Sequence, residues 1–116
     1  MIHKSKVEHD LYITQTISNI AHDEASYNID TRAKFVDNHH AYAILLEELD
    51  EAVEAMEVLK GNVDTLWRMV KADFKQEEVN KELKHISLIC QSTIAEVVQV
   101  YAVALKALHQ LGGVKE

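Results

Sequence analysis

The scarcity of helix-breaking residues constrains the fold of this chain more than any other feature. The sequence contains no proline and only three glycines, Gly61, Gly112 and Gly113. Helix interiors tolerate proline least, at a cost of roughly 3 kcal/mol, so a chain without it favours long uninterrupted helices. With 116 residues, of which 47% are hydrophobic and 27% charged, the chain is long enough for one core. These features predict a single all-α domain.

Apolar residues recur at helical spacing in four segments. The predicted helices cover residues 4–21, 33–59, 63–74 and 77–111. The apolar stripe predicted on the second helix comprises Tyr42, Leu45, Leu49, Ala52, Met56 and Leu59. Between the first two, residues 22–31 lose the helical period and are predicted to form a connection. Gly61 is predicted to cap the second helix, and Asn62 or Asp64 to open the short third one. Four helices with short connections predict an antiparallel four-helix bundle.

Charge and cysteine content restrict the partners and the compartment. The formal net charge is −7 and the sequence contains no cluster of Lys or Arg, so double-stranded nucleic acid is not a predicted partner. An acidic protein can still bind a nucleotide when a divalent cation bridges the like charges. The single cysteine, Cys90, cannot form an internal disulfide, which fits a reducing compartment. The N-terminus lacks the apolar core of a signal peptide, so a cytoplasmic location is expected.

Two polar side chains interrupt the most apolar segment, which runs from Ile94 to Leu105. Glu96 and Gln99 lie three residues apart, on one flank of the predicted fourth helix. The segment is shorter than the roughly 20 residues that a membrane span needs, so no membrane association is predicted. A buried carboxylate needs a partner, namely a cation, a Lys or Arg, or a hydrogen bond at a subunit interface. A buried Glu96–Gln99 hydrogen bond that fixes helix register is the alternative.

The second predicted helix carries six carboxylates between Leu45 and Glu57, and no Lys or Arg occurs from Ala41 to Leu59. Glu48 and Glu51 stand at positions i and i+3, so their carboxylates can converge on one point. Paired carboxylates on two antiparallel helices are how helical bundles build metal sites, and oxygen ligands favour Mg²⁺ or Mn²⁺ over zinc. The alternative is a solvated acidic face.

A family resemblance rests on these two segments. "EELDE" (Glu47–Glu51) matches the EExxE signature of MazG-like all-α nucleoside triphosphate pyrophosphatases. "EVVQ" (Glu96–Gln99) resembles their second motif, ExxD, with an amide in place of the final Asp. The surrounding pattern, over residues 38–108, is similar to that of small MazG-like proteins common in phages and prophages.

The resemblance implies Mg²⁺-dependent cleavage of a nucleoside triphosphate to a monophosphate and pyrophosphate. It assigns metal ligation to Glu48, Glu51 and Glu96, and to Glu47 either ligation or activation of the attacking water. Gln99 would complete the ligand set through its amide oxygen, which adds no charge and cannot act as a base.

Three further residues are candidate substrate contacts. His40 lies two turns before Glu47, Trp67 could stack on a base and Lys84 could contact a phosphate. A solvent-facing position for His40 and a core position for Trp67 are the favoured alternatives.

The apolar fourth helix exceeds what one small bundle needs to bury, so a homo-oligomer is expected. The competing hypothesis for function is a helical interaction protein, such as a phage-encoded inhibitor or adaptor, that engages a basic partner through its acidic face. In that case Glu47, Glu51 and Glu54 would point outward, remote from Glu96.

Overall fold

The computed structural model describes residues 5–113, which form three α-helices in chain order: α1 (Lys6–Thr31), α2 (Asn38–Lys71) and α3 (Gln76–Gln110). No strand occurs in this range. The all-α class is therefore confirmed. The prediction of four helices is wrong for this chain, because two of the predicted helices are one.

The first helix extends through the segment that was predicted to be a connection. Ser5 caps its start, where its hydroxyl oxygen accepts the backbone N–H of Glu8 at 3.1 Å. Residues 22–31 continue the helix although their apolar period is weak. Ala21 and Ala25 are fully buried, and tertiary packing of this kind overrides local preference.

The second helix passes through Gly61 without interruption. A glycine inside a helix costs about 1 kcal/mol relative to alanine, which is too little to end a helix that packs on both sides of it. Leu59, Asn62 and Leu66 are half-buried and continue the packed face across Gly61. The helix ends ten residues later at Lys71, where Asp73 adopts a left-handed φ of 55° and the N–H of Phe74 reaches the carbonyl of Met69 at 3.1 Å.

The chain divides into two compact units. The first, here called the three-helix unit, comprises the residues up to Leu45 together with those from Val98 onward, and so includes all of α1. Its apolar cluster contains Phe35, Ala41 and Val103 with the partly buried Ile44, Leu45, Ala107 and Leu111.

A lysine lies at the centre of the three-helix unit. Lys106 is 2% exposed, and its ammonium group donates to Asn28 Oδ1 at 2.6 Å and to the carbonyl of Ala33 at 2.8 Å. The same nitrogen stands 4.5 Å from the centre of the Phe35 ring. These contacts join α3 to the end of α1 and to the segment that leads into α2.

The second unit, here called the hairpin unit, runs from Leu46 to Val97. It contains most of α2 and the first part of α3, which are antiparallel and joined by residues 72–75. On each helix the inward-facing residues, all buried or half-buried, follow one another at alternating steps of three and four. These two inner stripes are Glu48, Ala52, Ala55, Leu59, Asn62, Leu66 and Met69 on α2, and Val79, Glu82, Ile86, Ile89, Thr93 and Glu96 on α3. Such a 3.5-residue repeat is the spacing that lets two long helices stay in contact along their length.

The third helix, α3, is long and apolar enough to cross a membrane by length and composition alone, with only 17% of its most apolar 18-residue window buried. Core helices of soluble proteins pass the same test, so this finding is weak evidence for a span. The cytoplasmic location therefore stays a prediction.

Candidate metal centre

Three carboxylates from two helices converge inside the hairpin unit. One oxygen from each of Glu48, Glu51 and Glu96 lies within 4.8 Å of the other two. We call these three residues the carboxylate cluster. Glu48 and Glu51 come together because residues three apart occupy neighbouring positions on a helix surface. Glu96 joins them because α3 runs antiparallel to α2 and places its last inner-stripe position level with the first on α2.

Small residues next to the cluster allow the two helices to approach closely. Ala52, one turn after Glu48, is 6% exposed, and Thr93, one turn before Glu96, is 3% exposed. The hydroxyl of Thr93 donates to the carbonyl of Ile89 at 2.8 Å, so its polar atom is satisfied within its own helix. The distance between packed helices depends on the side chains at their contact, and residues of this size keep it short.

The three residues of the carboxylate cluster differ in how deeply they are buried. Glu48 and Glu96 are half-buried on the inner stripes, whereas Glu51 is exposed. The cluster therefore has one open side, through which a ligand from solvent can reach the carboxylate oxygens.

The donor set fits a hard divalent cation. Mg²⁺ binds oxygen at about 2.1 Å, so oxygens that share one ion stand about 3.0–4.2 Å apart. One oxygen from each residue of the cluster lies within 4.8 Å of the other two, and rotation of the side chains can bring them to those separations. Carboxylates are ligands for Mg²⁺, Mn²⁺ and Ca²⁺, whereas zinc prefers the nitrogen and sulfur donors that this cluster lacks. Three mutually repelling negative charges would be relieved by such an ion.

The neighbouring acidic residues of α2 are exposed. Glu47 and Glu54 lie outside the cluster, and Glu47 is adjacent in sequence to Glu48. The role of Glu47 in activating water stays a prediction.

Gln99 has a partner in the three-helix unit. Its amide nitrogen donates to Glu24 Oε1 on α1 at 3.0 Å. The sequence offered no route to Glu24, because residues 22–31 were predicted to form a connection rather than a helix. Metal ligation by Gln99 stays a prediction, and its amide group is oriented by this hydrogen bond.

His40 takes part in the local structure at the start of α2. Its Nδ1 accepts the backbone N–H of Val36 at 3.1 Å, and its ring packs edge-on against Phe35 at 5.3 Å between centroids. Its own backbone N–H donates to Asp37 Oδ1 at 2.9 Å, which caps the helix. His40 is half-buried rather than solvent-facing.

Trp67 and Lys84 lie away from the carboxylate cluster within the hairpin unit. Trp67 is 59% exposed, so the favoured prediction that it belongs to the core is wrong, and the Lys71 ammonium lies 5.4 Å from the centre of its ring. At a rise of 1.5 Å per residue, Trp67 stands about 24 Å along α2 from Glu51, and Lys84 about 18 Å along α3 from Glu96. Within one chain, Trp67 is too distant to stack on the base of a nucleotide held at the cluster, and Lys84 is too distant to contact its phosphates.

Comparison of the chain with protein-family models, curated proteins and solved structures gives no match. The MazG-like resemblance therefore rests on the two motifs alone.

Proposed function

We propose that the carboxylate cluster binds Mg²⁺ or Mn²⁺ and that the chain is a metal-dependent nucleoside triphosphate pyrophosphohydrolase of MazG-like type, or a nucleotide-binding relative with weakened catalysis. The observation that carries this proposal is the convergence of Glu48, Glu51 and Glu96 within 4.8 Å. A solvated acidic face would not require Glu51 to lie near Glu96. Glu48 and Glu51 of the first motif thus lie beside Glu96 of the second within the hairpin unit.

Each residue of the proposed site has a distinct task. Glu48, Glu51 and Glu96 hold the cation, which when bound neutralises phosphate charge and polarises the phosphorus–oxygen bonds. Because Glu51 is exposed, phosphate oxygens and water could reach an ion held by these three carboxylates. Glu47 accepts the proton of the attacking water as its oxygen bonds to the α-phosphorus, while the bond to the bridging oxygen breaks and pyrophosphate leaves.

Calorimetric titration of Mg²⁺, Mn²⁺ and Ca²⁺ into the full chain tests the metal site directly. Glu48→Gln and Glu96→Gln keep side-chain size and remove one charge each, so we expect each to weaken Mg²⁺ binding at least tenfold. Glu54→Gln is the matched control, because Glu54 is an exposed residue of the same helix outside the cluster. Equal loss with Glu54→Gln would reveal a diffuse acidic surface, and no saturable binding by the unaltered chain would leave the acidic face to a protein partner.

Activity is tested separately, by incubating nucleoside triphosphates with the chain and Mg²⁺ and measuring pyrophosphate and nucleoside monophosphate together. A general base contributes typically 10²- to 10⁴-fold, so Glu47→Gln is expected to lower kcat by roughly that factor while metal binding persists. Metal binding with no product from any triphosphate would assign the chain to the binding-only relatives. Equimolar release of inorganic phosphate and a nucleoside diphosphate would contradict cleavage between the α- and β-phosphates.

A further inference from the structure

The hairpin unit carries a second set of apolar stripes that nothing in the described chain covers. We call these the outer stripes. On each helix, each outer-stripe residue comes one position after an inner-stripe residue, so the outer stripe has the same alternating steps of three and four. The outer stripes are Leu46, Leu49, Val53, Met56, Lys60, Val63, Trp67 and Val70 on α2, and Leu83, Ser87, Cys90, Ile94 and Val97 on α3. Their large apolar members on the two helices are between 40% and 59% exposed, apart from the half-buried Cys90.

The two outer stripes lie on the same side of the hairpin unit. An advance of one residue turns a position by about 100° around the helix axis. Because α2 and α3 are antiparallel and their inner stripes face each other, the same advance turns both outer stripes toward one face. Glu51 stands one residue before the inner-stripe residue Ala52, so it lies on the opposite face, with the open side of the carboxylate cluster.

The extent of this apolar face matches a stable protein interface. Ten large apolar side chains, each about half exposed, present several hundred Å² per copy. Specific interfaces bury about 800 Å² on each partner. Contiguous exposed apolar surface of this size marks an interaction site rather than an ordinary surface.

The apolar repeat of the outer stripes and the charges beside them indicate that a second copy of the chain covers this face. A 3.5-residue apolar repeat on two antiparallel helices is complementary to another pair with the same repeat, and a second copy of this chain offers one. The outer edge of the α2 stripe carries Asp50, Glu57 and Asp64, each one residue past a stripe member, and ends with Lys71. The corresponding edge on α3 carries Lys84 and Gln91.

We propose that two copies dimerise through this face to form a four-helix bundle in which α2 of each copy packs against α3 of the other. If α2 instead packed against α2, Glu57 and Asp64 of the two copies would face each other. Because Glu48 and Glu51 lie level with Glu96, Lys84 on the antiparallel helix lies level with residues 60–63. In the proposed bundle Lys84 of the second copy therefore lies between Glu57 and Asp64. Lys60 belongs to the outer stripe itself, and its long side chain can carry the ammonium group past the stripe to water.

Sedimentation velocity of the full chain at micromolar concentration tests the interface with matched variants. Ile94 and Leu88 lie on the same helix and are 57% and 59% exposed, but only Ile94 belongs to an outer stripe. Likewise Met56 belongs to one and Val58 does not, at 51% and 55% exposure. We expect a dimer for the unaltered chain, for Leu88→Lys and for Val58→Lys, and a helical monomer by circular dichroism for Ile94→Lys and Met56→Lys.

Charge reversal tests the arrangement of the helices. Lys84→Glu is expected to raise the dimer Kd at least tenfold, as is the double change Glu57→Lys with Asp64→Lys, and the combination of all three is expected to restore it. A failure of the combination to restore dimerisation would overturn the packing of α2 against α3. A monomer at every concentration, or equal disruption by Leu88→Lys, would overturn the interface itself. Binding to lipid would also overturn the interface. It would be seen if the unaltered chain floated with phosphatidylcholine vesicles and Ile94→Lys did not.

This inference is independent of the proposed function. Because the apolar face and the carboxylate cluster lie on opposite sides of the hairpin unit, the monomeric variant Ile94→Lys is expected to bind Mg²⁺ as the unaltered chain does. A dimer without cation binding would support the interface and contradict the enzyme.

Discussion

The ammonium group of Lys106 is buried among oxygens and an aromatic ring instead of beside a carboxylate. Burial lowers the pKa of Lys106 from its ordinary value of 10.5, and the positive charge of Arg32 lowers it further. Asn28 and Ala33 supply the acceptors, and the Phe35 ring faces the charge. These contacts offset much of the cost of desolvating the ammonium group, which would be several kcal/mol without them.

The lowered pKa predicts how stability depends on pH. Between the folded pKa and the unfolded value of 10.5, the unfolded chain binds more protons at Lys106 than the folded chain, so stability rises with pH across that window. Lys106→Met removes the titration and keeps the volume. In urea unfolding between pH 8 and 10.5, the free energy of unfolding of the unaltered chain should increase relative to that of the variant as the pH rises. A difference that stays constant would contradict the pKa shift.

Gln99 supplies a second test at the residue scale. Gln99→Asp restores the acidic residue of the family motif, but it removes the amide that donates to Glu24 and brings two like charges together. We expect a loss of about 1–2 kcal/mol in the free energy of unfolding. Adding Glu24→Gln should recover most of this loss, because one charge is removed and an amide donor returns. Gln99→Asp with unchanged stability would show that the hydrogen bond contributes little.

The carboxylate cluster was predictable from the sequence because helical geometry fixes which residues share a side. Helical spacing puts Glu48 on the side of α2 that carries Ala52 and Ala55, and Glu96 on the side of α3 that carries Ile89 and Val103, and these are the buried sides of the helices. Glu24 and Lys106 were not predicted. Their partners depend on where α1 ends, and the apolar period that would have shown this is weak in residues 22–31.

At the scale of the helices, the apolar stripe predicted on α2 mixes two lines of residues. It combined Leu45, Ala52 and Leu59, which face inward, with Leu49 and Met56, which are 45% and 51% exposed. The inner and outer stripes of α2 adjoin, so together they form one broad apolar band. A single stripe drawn along the centre of that band coincides with neither of them. The sequence therefore predicted an amphipathic helix correctly without indicating which half of its apolar surface is covered within one chain.

Replacing Gly61 in α2 by alanine is expected to stabilise the chain. A Cβ added there meets no heavy atom within 4 Å, and alanine has the higher helix propensity. Gly61→Ala should raise the free energy of unfolding by about 0.5–1 kcal/mol. Gly112→Ala is the contrasting change, because its Cβ would stand 2.9 Å from the carbonyl oxygen of Leu108, and it is expected to lower stability. Urea unfolding of both variants decides whether Gly61 lies in an ordinary helix interior.

At the scale of the whole chain, the described residues bury few large apolar side chains. Alanines make up five of the seven core residues, and the other two are Phe35 and Val103. If a second copy supplies the missing burial, stability must depend on protein concentration. A tenfold increase changes the dimer contribution by about 1.4 kcal/mol, which shifts Tm by a few degrees in a domain of this size. Ile94→Lys should abolish this dependence, and an invariant Tm for the unaltered chain would contradict the dimer.

The one-residue offset between the two stripes of α2 affects how this sequence can change over evolutionary time. A deletion of one residue early in α2 would rotate everything after it by about 100° and put the outer line where the inner line had been. Because the outer line is also largely apolar, the side of α2 that faces α3 would stay apolar. An insertion would instead bring Glu51 and Glu54 to that side. The polar member Glu48 belongs to the inner line alone, so lineages that lost one codon there would keep the helices and lose the carboxylate cluster.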